Sequence, residues 1–114
     1  MKVDKAQLSF LNQLASEVVI LDENLKITWL NDSALNKGWV LNRNKKNNLI
    51  TDQFSEETNG KLISLLKKTV KKNGAKTKRG FELTSSANTK RIIDLTVSWS
   101  YDFNCLILEI LCVD

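Results

Sequence analysis

The last nine apolar-rich residues constrain the fold most. From Cys105 to Val113, Leu106, Leu108 and Ile110 point one way along a strand, and Ile107 and Leu111 point the other. A strand that is apolar on both faces needs cover on both sides. Helices within the chain can supply one cover. An N-terminal helix, or a partner molecule, is needed for the other.

The segments upstream supply those layers. Asp4 and Gln7 are placed as a capping box, and Leu8, Leu11, Leu14 and Ala15 follow at helical spacing, predicting an amphipathic helix over residues 1–15. Val18 to Leu21 and Leu25 to Leu30 read as a strand hairpin across a turn at Asp22-Glu23-Asn24, with Ile27 and Trp29 on one face. Asn31-Asp32-Ser33 starts a short helix through Ala34 and Leu35 that ends near Gly38. Residues 40–54 read as loop and short helical turns. Ser55, Glu56 and Glu57 open a longer helix with Leu62, Leu66 and Val70 on its apolar face, stopped by Asn73-Gly74. The period then becomes two. Arg79, Phe81 and Leu83 share one face, and Ile93, Leu95, Val97 and Trp99 share another. Strands at both ends with helices between them predict an α+β fold with an antiparallel sheet. The expected organisation is the helix at 1–15 and one domain over 16–114.

Composition excludes several chemistries. The 114-residue chain has no histidine, which removes Ser-His-Asp and Cys-His catalysis, histidine-ligated zinc or haem, and histidine phosphorylation. Cys105 and Cys112 cannot make a four-cysteine metal site. Their odd separation on one strand puts them on opposite faces, so they cannot pair with each other within it and are expected to be two buried, small apolar residues. Among four glycines there is no phosphate-cradling loop. The carboxylate pairs Asp22-Glu23 and Glu56-Glu57 fit a turn and a helix start. The chain is therefore not expected to be an enzyme, and no metal or cofactor is expected. No apolar run approaches the ~20 residues of a membrane helix, and Met1 to Ala15 lacks the apolar stretch of a secretory signal. A cytoplasmic location and no membrane partner are expected.

Charge is unevenly placed. Residues 60–91 hold ten basic side chains and one acidic one, whereas residues 92–114 hold four acidic and no basic ones. Lysines in the last turns of a helix suit its dipole and a solvated or partner-facing surface. No aromatic residue lies between Gly60 and Gly80 to stack on bases. Nucleic acid is not expected as a partner.

The element order resembles a PAS domain: two strands, a run of helices including one long one, then three strands. Leu11 to Leu35, LNQLASEVVILDENLKITWLNDSAL, resembles the opening of the sensory domain of NtrB-type nitrogen-regulation histidine kinases, and CLILEILCVD is similar to that domain's last strand. Asp32 stands where that family usually has proline, and the Lys/Asn-rich segment from Asn42 to Asn48 has no counterpart. The resemblance implies a five-stranded antiparallel sheet with helices on one face, in a sensory module excised from a longer protein of a two-component system. The kinase domain that it would control is absent from this chain.

The resemblance also frames the site. The expected role is a homodimer that relays a signal to the downstream kinase, with Leu8, Leu11 and Leu14 packing against Ile107 and Leu111. The alternative is a small-molecule sensor with an apolar interior pocket lined by Trp29, Leu35, Leu66, Phe81, Leu95, Val97 and Leu108. Trp29 or Trp99 would offer an indole N–H there. Arg79 and Arg91 read as exposed strand ends.

Overall fold

The structure is a computed structural model that describes residues 10–41 and 48–113. Its strands are β1 (Glu17–Leu21), β2 (Ile27–Leu30), β3 (Lys76–Thr84), β4 (Lys90–Ser100) and β5 (Cys105–Cys112). They form one antiparallel sheet in the order β2-β1-β5-β4-β3. The doubly apolar β5 lies at its centre. Helices α1 (Asp32–Asn36) and α2 (Glu56–Thr69) follow Asn31 and Ser55, whose side chains accept from Ala34 and Thr58 backbone N–H groups as N-caps.

Three local outcomes depart from the sequence reading. The described part of the expected N-terminal helix is a single 3-10 turn, Phe10–Gln13, followed by a chain that runs into β1. Leu8 and the Asp4–Gln7 capping pair lie outside the described residues, as does 42–47 of the Lys/Asn-rich segment. Next, α2 stops at Thr69, short of Asn73-Gly74. Lys71 takes the left-handed conformation, with φ 57°, that ends a helix. The Tyr101 hydroxyl donates to the Lys71 carbonyl, and the Lys71 ammonium lies 3.0 Å from Glu23. Tertiary contacts thus hold the stop at Lys71.

Last, Ile27 and Trp29 lie on opposite faces. Ile20 pairs with Trp29 but Leu21 pairs with Ile27, so Thr28 is an extra residue in β2. This bulge sends Ile27 into the main core and Trp29 to the far side of the sheet. The main core lies between sheet and helices: Val19, Leu21, Leu62, Leu66, Leu95, Val97, Leu106 and Leu108 are all fully buried there. A smaller cluster on the opposite face centres on Val18, Ile20 and Cys105.

Candidate functional site

The expected pocket lining is divided by the fold. Leu66, Leu95, Val97 and Leu108 meet in the main core, each no more than 1% exposed, with Phe81 packed at its margin. Leu35 is 51% exposed, because Ala34, one residue earlier on the short helix, is the side chain that turns inward. Trp29 is on the other face for the reason just given. The indole N–H of Trp99 is buried and has no hydrogen-bond partner among the described residues, although its ring packs edge-on against Tyr101.

One end of the core is polar. Glu17 is 3% exposed, and its carboxylate accepts from Trp39 Nε1 at 2.8 Å and from both terminal nitrogens of Arg91. The pair joins β1 to β4 across the intervening β5. Arg91 is therefore a half-buried ion-pair partner and not an exposed strand end. Donation to Glu17 raises the guanidinium's pKa, and burial offsets this in part. The ion-pair side of Arg91 also borders a small pocket of about 260 Å³ lined with Lys37, Trp39, Gln53, Ser85 and Thr89. A carboxylate inside the apolar run Glu17–Leu21, buried at all five positions, was the available signal. A buried carboxylate demands a partner, but the sequence does not identify Arg91, 74 residues away, as that partner.

The opposite face of the sheet carries the lead-in segment. Leu11 and Leu14 pack with Ile107, Trp29 and Phe103 around Val18 and Ile20. Leu11, Leu14 and Ile107 thus meet within one protomer, while Leu111, four residues further along the strand from Ile107, is outside the cluster and 51% exposed. Asn31 secures the arrangement. Its Oδ1 accepts from Val18 N and Ala34 N, each at 2.9 Å, and its Nδ2 donates to the carbonyls of Leu11 and Ser16 at 3.1 and 3.0 Å. Further ties join Ser33 Oγ to the Leu14 carbonyl, Asn12 Oδ1 to Asp32 N, and Ser16 Oγ to Glu109. The lead-in at Leu11–Ser16 and the start of α1 are therefore linked through one fully buried amide.

Of the two cysteines expected to be buried, only one is. Cys105 is buried in the far-side cluster, where burial pushes its thiol pKa up, and Cys112 is exposed. Among the described residues no group of histidine, cysteine or carboxylate side chains is placed to hold a metal ion, and no helix is long and apolar enough to cross a membrane.

No family model matches the sequence, nor does any curated protein. Solved structures do match the fold. The PAS domain of nitrogen regulation protein NR(II) from Vibrio parahaemolyticus is 18% identical, with TM-score 0.68 over 92% of this chain and 95% of that one. A PAS domain from a two-component sensor histidine kinase is 10% identical, with TM-score 0.64 over 95% and 94%. The PAS-B domain of Drosophila melanogaster Cycle, with ethylene glycol bound, is 10% identical, with TM-score 0.64 over 84% and 98%. Each of these matches covers at least 84% of this chain with a TM-score of 0.64 or more: this protein has the PAS fold.

Proposed function

We propose that the chain is the sensory and dimerisation module of a cytoplasmic two-component histidine kinase of the nitrogen-regulation type. It forms a homodimer and passes a change in geometry to a kinase domain beyond this chain. The module itself does no chemistry. The observation that carries the reading is the Asn31 junction, which couples the lead-in segment to β1, β2 and α1 on the face where apolar side chains remain exposed. Phe10 is 62% exposed and Leu111 51% exposed on that side of the molecule. Likeness to sensor-kinase PAS domains supports the same reading.

Leu11 and Ile107 serve both the protomer and the proposed contact, so charge there would disturb folding too. Phe10 and Leu111 are exposed and separate the two effects. Phe10→Asp with Leu111→Asp is expected to leave the melting temperature nearly unchanged and to convert dimer to monomer in sedimentation equilibrium. A dimer that persists in this variant would remove the proposed interface.

A second reading rests on Trp99. A buried indole N–H without a partner among the described residues is a donor for a small molecule that brings an acceptor into the interior. Native mass spectrometry of the gently purified protein tests it. A reproducible added mass per protomer, lost on denaturation, would favour the sensor over the relay. Bare dimer would favour the relay.

A further inference from the structure

The basic stretch is organised by a bulge that simple alternation hides. Along β3, Lys78 pairs with Leu95 and Phe81 with Ile93, so Arg79 and Gly80 together face one residue, Asp94. Gly80 has φ 64°, and its N–H donates to Asp94 Oδ1 at 3.0 Å. The extra residue changes the face. Lys76 and Lys78, opposite Val97 and Leu95, come onto the same helix-covered side as Phe81.

There they meet α2. Lys61, Ser64, Leu65 and Lys68 form one helical stripe, and with Lys76, Lys78 and Phe81 they line a groove of about 690 Å³. Among the described residues its walls carry four ammonium groups and no carboxylate, and Leu65 and Phe81 supply its apolar lining. Lys61 has a long contact of 4.0 Å to Glu57, and Lys68, Lys76 and Lys78 make no ion pair among the described residues. Lysines on β3 alone would serve to discourage pairing at a sheet edge. A facing pair on α2 is not needed for that purpose, and like charges around one cleft repel one another. The arrangement concentrates positive potential over an apolar surface.

A ligand with one anionic head would engage only part of this ring. Carboxylates spaced on either side of an apolar side chain engage all of it. β3 also ends the sheet, so one side of its main chain faces away from β4 and can receive an extended segment. We propose that the groove between α2 and β3 binds an acidic, apolar-anchored segment of a partner protein in extended form. Its carboxylates would lie on Lys61, Lys68, Lys76 and Lys78, and its anchor on Leu65 and Phe81.

The test is fluorescence polarisation with a labelled peptide of alternating glutamate and leucine at low salt. Wild-type protein is expected to bind it. Lys68→Glu with Lys76→Glu and Lys78→Glu is expected to weaken binding by at least about tenfold. A control with Lys67→Glu and Lys72→Glu, on side chains that do not line the groove, is expected to lose no more than about threefold. All five lysines are exposed, and thermal melts establish that both variants fold. Equal losses in the two variants would reduce the effect to diffuse charge and overturn the proposal. So would displacement of the peptide by laurate or by an oligothymidylate at matching concentration, or no binding to the wild-type protein.

Discussion

Asn31 shows how much one side chain can decide. Its four hydrogen bonds join backbone groups of Leu11, Ser16, Val18 and Ala34 in a site with no exposure. Asn31→Ala leaves two donors and two acceptors of the main chain without these partners, and is expected to cost on the order of 3 kcal/mol in urea denaturation. Asn31→Asp keeps the accepting oxygen but turns a second oxygen toward the Leu11 and Ser16 carbonyls. It is expected to free the lead-in selectively, seen as faster limited proteolysis between Leu11 and Ser16. Unchanged denaturation and proteolysis in both variants would remove Asn31 from its linking role. In the sequence, Asn31 was legible only as one of three candidate caps with Asp32 and Ser33, because the capping bond reaches only three residues. Its ties to Val18 and Leu11 span 13 and 20 residues, and no local pattern encodes them.

At the level of elements, the strands and helices follow from periodicity, and two bulges decide what those elements present. Thr28 moves Trp29 off the core face, and the Arg79-Gly80 pair brings Lys76 and Lys78 to the helix side. A bulge is one residue's difference between two pairing strands, so it belongs to the pair and not to either strand's own pattern. Gly80→Ala tests the second. A Cβ there meets nothing within 4 Å, so the cost is that of holding a non-glycine residue at φ 64°. The expected loss is about 1 kcal/mol in denaturant titration. Gly80→Asn, whose side chain tolerates this conformation better, is expected to lose less. An alanine variant as stable as wild type would mean that the bulge relaxes without cost.

Over the whole molecule, the Glu17–Arg91 pair ties the first strand to the fourth across the strand that separates them. Removing either member leaves the other poorly solvated, since the side chains are 4% and 22% exposed. Arg91→Met is expected to destabilise the fold by about 3 kcal/mol, and Glu17→Met with Arg91→Met by less than the sum of the single changes. Additive thermal and denaturant effects would show that the two groups are independent. The raised pKa of Arg91 keeps the guanidinium charged, so its part of the pair persists below the ordinary arginine range and is lost only as pH rises through the raised value.

Local information sufficed for the order of the elements, the α+β class and the two-sided cover of the first half of β5, Cys105–Leu108. Those features depend on alternation, helical spacing and caps, which act within a few residues. It also sufficed to place Leu66, Leu95, Val97 and Leu108 together. Tertiary structure alone decided that Leu35 is exposed, that Arg91 neutralises Glu17, that α2 ends at Thr69, and that four lysines surround one groove. Each of these outcomes depends on a strand register or on a partner distant in sequence. Such pairings are set when the sheet closes, by which buried charges and main-chain groups must be satisfied together.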